Sequence, residues 1–180
     1  MNEKLKGSWF PEVALEGSGW NALSDSSRLW LYVADRMLSS IECQRVAEEL
    51  ERFTAEWAAH GTELHASWKL QGSRVVAIAL DESRHGASGC SIDASIRCMQ
   101  GLSEVGSPSI DWLRRDCVLF CQAESDFWEE MNLSAFWMAR KAGLIQDDTA
   151  VLNALCSNKG DWEVECFHDF SASWHRDMWQ

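Results

Sequence analysis

Val75-Val76-Ala77-Ile78-Ala79-Leu80 is apolar at every position, and no other stretch of this chain constrains its fold as tightly. An alternating strand hides one face, whereas an unbroken apolar strand needs cover on both. The run has the length of a strand and is far too short to span a bilayer. Just before it, Leu64, Ala66, Trp68 and Leu70 alternate with His65, Ser67 and Lys69. Gln71-Gly72-Ser73 supplies a turn, so the two segments read as a hairpin.

The flanking segments fit around that hairpin. Arg28 to Ala34 is rich in aromatic and aliphatic residues and reads as a buried strand. Ser39-Ser40-Ile41-Glu42 has the form of a capping box. Val46, Leu50, Phe53 and Trp57 then recur at helical spacing, with Glu48, Glu49, Glu51 and Glu56 mostly on other faces, and His60-Gly61 is expected to stop this helix. A second helix is expected from a cap at Ser91 or Asp93 to about Glu104, with Ile92, Ile96, Met99 and Leu102 facing inward. Gly106-Ser107-Pro108 breaks the chain, and Arg115 to Cys121 reads as a fourth strand.

The order β-α-β-β-α-β predicts an α+β fold with a ferredoxin-like sheet. On this reading residues 1–25 form a flexible N-terminal arm and 26–123 the ferredoxin-like core. Residues 124–180 form a mainly helical extension: helices over Phe127–Lys141 and Asp148–Leu155, then an aromatic tail. That extension is expected to pack on the core and cover the second face of Val75–Leu80, giving a single domain overall.

Composition narrows the partners. Sixteen basic against 28 acidic residues leave a net charge of −12. Affinity for nucleic acid comes chiefly from Lys and Arg on phosphates, so neither nucleic acid nor an anionic membrane is an expected partner. Seven cysteines without a C-x-x-C pair fit free thiols in a reducing compartment. Lys4 and Lys6 near the start are followed by no apolar h-region, so a cytoplasmic location is expected. Eleven tryptophans read either as core anchors or as an aromatic surface for a protein partner.

Candidate chemistry concentrates between Asp81 and Asp93, where a strand end meets a helix start. In the expected topology chain direction alone brings Trp57, His60 and Gly61 to the edge that carries Asp81, Glu82, Ser88, Cys90 and Asp93. Arg36 and Arg115 fall on the opposite edge. A thiol at a helix N-terminus is acidified, so Cys90 is the candidate nucleophile, with His60 as base and Asp81 or Asp93 as its orienter. The plain structural alternative is equally specific: Cys90 as small filler, Asp93 as helix cap, His60 as a helix-ending residue. A binding site asks for less. Ser88-Gly89-Cys90-Ser91 offers N–H and hydroxyl donors to a phosphate or carboxylate, with Trp57 and Glu82 beside them. The acidic neighbours oppose a bare anion unless a divalent cation such as Mg²⁺ bridges them. Cys166-x-His168 with His175 lacks a fourth zinc ligand, no metal site is assigned, and no cofactor is identified. The P-loop pattern is absent.

Asp35-Arg36 after Trp30-Leu31-Tyr32, Trp57-x-x-His60-Gly61-x-x-Leu64, Asp81-Glu82, Ser88-Gly89-Cys90-Ser91-Ile92-Asp93 and Ser173-Trp174-His175 occur in that order. This set resembles a bacterial family of small cytosolic proteins that often carry the automatic label "ABC transporter ATPase", from about Ser24 to the C-terminus. The label needs Walker motifs that this chain lacks, so the resemblance implies no activity. It does imply that Trp174-His175-Arg176 belongs with the central motif, and hence that the tail brings His175 to the same edge. The expected function is binding of a small polar or anionic ligand at that edge, with thiol-dependent turnover as its extension. The alternative is a non-catalytic adaptor that meets a protein partner through a tryptophan-rich surface.

Overall fold

The computed structural model describes residues 14–123, 125 and 128–178. Most of the expected arm, Trp9, Trp179 and Phe127 (the expected start of a helix) lie outside the described residues. The described chain divides into two compact units, 14–114 with 156–162, and 115–155 with 163–178.

The first unit runs β1 (Ala14–Glu16), β2 (Arg28–Val33), α1 (Ser40–Glu56), β3 (Ala58–Ala59), β4 (Thr62–Glu63), β5 (His65–Gln71), β6 (Val75–Asp81) and α2 (Gly89–Leu102). β1, β5, β6 and β2 form an antiparallel sheet in that spatial order. All six residues from Val75 to Leu80 have 0% exposure, so β6 is covered on both faces as its composition requires. One face packs Tyr32, Trp68, Leu70, Val76, Ile78 and Leu80 against Val46, Leu50, Met99 and Leu102 of the two helices. On the opposite face the Lys69 ammonium lies 5.8 Å from the centre of the Trp20 indole.

The α+β class holds, and the split β-α-β-β-α order runs through β2, α1, β5, β6 and α2. The fourth strand departs from a ferredoxin-like sheet. Cys117–Cys121 pairs in another sheet, and the outer edge of β2 is met by residues 157–159 instead. Leu29 N–H donates to Ser157 C=O and Lys159 N–H to Ser27 C=O, both at 2.9 Å. Element order had suggested a partner for that edge, but an edge strand accepts any segment with free backbone groups.

Local chemistry explains three further differences. Ser88, not Ser91 or Asp93, caps α2, in a reciprocal box where each serine hydroxyl accepts the other's N–H. The inward face of α2 is Ser91, Ser95, Met99 and Leu102, with Ile92 and Ile96 half-buried. Both buried hydroxyls are satisfied within the helix: Ser91 donates to Ser88 C=O and Ser95 to Ile92 C=O. His60-Gly61 does not stop α1, which ends at Glu56. With φ of 51° and 81° the two residues form the turn of the β3–β4 hairpin. Part of the expected arm, residues 14–25, belongs to the fold: β1 pairs with β5, and Trp20 is 1% exposed.

The start of α1 is held firmly. Glu42 closes the Ser39 capping box and takes a two-pronged bond from Arg36, at 2.7 and 3.0 Å. Arg36 also donates to Pro108 C=O at 2.7 Å.

The second unit holds β7 (Cys117–Cys121), β8 (Glu129–Asn132), α3 (Leu133–Lys141), β9 (Ala150–Leu152), part of α4 (Lys159–Glu165), β10 (Phe167–Asp169) and α5 (Trp174–Asp177). Its antiparallel sheet has the order β10-β9-β7-β8. The expected mainly helical extension also holds three short strands, and Glu129–Asn132, expected within a helix, is one of them. Ala150-Val151-Leu152, assigned to a helix from sequence, is a buried strand, because periodicity cannot separate a short strand from a buried helical turn. Its core gathers Val118, Phe120, Phe136, Val151 and Phe170. Among the described residues no helix is long and apolar enough to cross a membrane.

Candidate functional site

Trp57, the C-cap of α1, ties the end of one helix to the start of the next. It is 2% exposed, and its indole N–H donates to Ser91 C=O at 3.0 Å. Its ring also meets Trp30 edge-on at 5.8 Å and Phe53 at 5.0 Å. Of the residues expected to converge from the end of α1 and the start of α2, Trp57 and Ser91 are joined by this bond.

The acidic residues at this edge have local partners. Asp81 ends β6 opposite His65, whose Nδ1 stands 3.5 Å from its carboxylate. The Ser83 backbone N–H bonds Asp81 at 2.9 Å and, with the Ser83 hydroxyl and then His65, holds its carboxyl below the ordinary value. Glu82 accepts the Ala87 N–H at 2.9 Å and lies 3.6 Å from the Arg28 guanidinium, which in turn stacks 4.7 Å from the Trp30 ring centre. Sequence reading missed His65 and Arg28. The signal for His65 was there: in a hairpin centred on Ser73, residues 65 and 81 are mirror positions.

The donors expected to greet an anion are partly committed. The N–H groups of Ser88 and Ser91 are taken by the cap, and Ser91 is 1% exposed. Gly89 and Cys90 form the exposed first turn. Cys90, His60 and Asp93 are exposed, with no hydrogen bond or ion pair joining them. His175 belongs to the second unit, where it is 2% exposed and stacked at 3.8 Å on Trp174. Its Nδ1 has no hydrogen-bond partner, and burial lowers its pKa to about 4. Among the described residues no group of three or more His, Cys, Asp or Glu side chains is arranged to hold a metal ion.

Trp57 also lines a groove of about 700 Å³ between α1 and α2, which sequence reading did not find. Phe53, Trp57, Ala94 and Cys98 line it, and charged residues including Arg52, Glu56 and Arg97 rim it. Burial pushes the Cys98 thiol up to about 11, so this sulfur is an apolar wall rather than a nucleophile. Arg52 is engaged by Glu49 one turn back, whereas Arg97 is exposed. Gly101 also lines the groove, and a β-carbon built on it meets nothing within 4 Å.

None of the described tryptophans is exposed. Trp20, Trp57, Trp68, Trp112, Trp137 and Trp162 are buried, and Trp30, Trp128 and Trp174 are half-buried. Comparison of the chain with protein-family models, curated proteins and solved structures finds no match.

Proposed function

We propose that this chain binds a small polar ligand and does not turn it over, and that the ligand seats in the groove between α1 and α2. The groove itself carries the reading: about 700 Å³ falls within the span of small-molecule sites, roughly 300–1,000 Å³. Phe53 offers an apolar contact, and Arg97 offers a guanidinium to a carboxylate or phosphate. Binding is favoured over thiol chemistry because Cys90 has no base bonded to it and burial keeps Cys98 protonated. The adaptor reading drew on a tryptophan surface, and six of the nine described tryptophans are buried and three half-buried.

A thermal-shift screen of carboxylates, phosphates, amino acids and nucleotides tests this. Gly101→Leu fills the groove from its wall and suits a helix better than glycine. Ligands that raise Tm of the wild-type protein are expected to leave G101L unmoved and to bind R97A about tenfold more weakly. Equal shifts in G101L, or no shift from any compound, would end the proposal.

A further inference from the structure

On the other flank of α1 the chain builds a second concavity, which shares only Arg52 with the first. Gly17, just after β1, has no room for a side chain: a β-carbon there would stand 2.4 Å from Trp68 Nε1 and 2.9 Å from the Glu51 carboxylate. That bare backbone lets three groups converge. Trp68 Nε1 donates to Glu51 at 2.8 Å, and the Ser18 N–H donates to the same carboxylate at 3.2 and 3.3 Å. Those bonds from Ser18 and Trp68 hold the Glu51 carboxyl below its ordinary value, so the anion is fixed in place and ionised.

Beside it lies a trough of about 620 Å³. Leu15, Ala47 and Trp68 give it an apolar floor, and Glu48 and Glu51 supply two carboxylates, whereas that of Glu16 takes the Asn21 amide at 2.6 Å and lies 3.8 Å from the Lys69 ammonium. Arg52 is the cation among the lining residues, and its guanidinium is engaged by Glu49. The trough borders the edge of the first sheet, because among the described residues β1 pairs with β5 alone. A strand laid against β1 would send every second side chain over Leu15 and toward α1. Lysine and arginine suit that place: their aliphatic stems cover apolar surface while the charge reaches a carboxylate. The net charge of −12 attracts the same kind of partner.

We infer that the edge of β1 and this trough form a docking surface for a basic, extended segment of a partner protein, which adds as a strand beside β1 and lays Lys or Arg side chains along Leu15 and Trp68 toward Glu48 and Glu51. The surface shares no function with the α1–α2 groove, so either assignment fails without the other.

The probe is a dansyl-labelled peptide of about ten residues alternating Lys and Val, with an alternating Glu and Val peptide as control. Fluorescence anisotropy on the full chain is expected to show binding of the basic peptide alone. Glu48 is exposed on α1, so Glu48→Lys leaves the fold intact; it is expected to weaken binding about tenfold, as is raising the salt to about 0.5 M. Glu56→Lys, which faces the other groove, is expected to weaken it far less. Absence of binding, equal binding of the acidic peptide, or an E48K protein that binds as well as wild type would each overturn the inference. A gain of about tenfold on changing both Lys4 and Lys6 to Glu would overturn it too. The chain's own Lys4-Leu5-Lys6 would then be the occupant.

Discussion

His175 lies with its ring 3.8 Å from that of Trp174 and 5.8 Å from that of Phe136, and among the described residues no acidic group pairs with it. An unfolded chain binds a proton at this residue near its ordinary value of 6.5, whereas the folded chain does so only near 4. Between those values the unfolded state holds more protons, so stability is intact above about pH 6.5 and falls as pH drops toward 4, by about 3 kcal/mol in all. Urea unfolding at neutral pH and near pH 4.5 is expected to show that loss, and H175F to flatten it. Glu42 works in the acidic range. Arg36 first and the Ser39 N–H second lower its pKa from 4.5 to about 2, so its contribution is present above about 4.5 and disappears as pH falls toward 2. E42Q is expected to cost about 3 kcal/mol at neutral pH and almost nothing near pH 2, again by urea unfolding. Glu42 was legible in the sequence through its capping spacing. His175 was read as a ligand contact, because a motif gives no measure of how dry its surroundings will be.

At the scale of the element, α2 stands on two serines. Ser88 and Ser91 each accept the other's N–H, at 3.2 and 2.8 Å. S88A or S91A is expected to lower stability by about 1 kcal/mol, and the double variant by clearly less than the sum, because either change breaks the shared box. Differential scanning calorimetry of the three variants measures this; full additivity would mean that the serines cap independently. A Ser-x-x-Ser box is harder to see than Ser-x-x-Glu, and the cap was accordingly sought at Ser91 or Asp93. The strands β2, β5 and β6 and the helix α1 were legible because each has a clean period or an unbroken apolar run. Ala150–Leu152 was not, since three apolar residues satisfy a strand and a helix alike. The candidate site was legible only in part: Trp57 lines the groove, and no residue from Asp81 to Asp93 does. It was not legible as a cavity, because the groove depends on how far apart two helices lie.

The two units of the molecule are interleaved along the chain, and this shapes what can be cut away. Residues 156–162 return to the first unit after 115–155 have built most of the second. They bring buried Cys156, Lys159 and Trp162, and Gly160 N–H bonds Asp25 C=O at 2.8 Å. A fragment ending at Arg114 is expected to lose several kcal/mol, since deleting one buried tryptophan alone costs about 3–5 kcal/mol. Reattaching 156–162 through a short flexible linker is expected to recover most of it, measured by urea unfolding. Recovery without those residues would show that the edge of β2 manages uncovered.

The late return of that segment also sets an order of events during synthesis. When Arg114 is joined to the growing chain, Ser27 C=O and Leu29 N–H still await Lys159 and Ser157, which are more than forty residues from being made. For that interval the nascent chain carries an open strand edge along β2, the kind of surface that draws other chains to it.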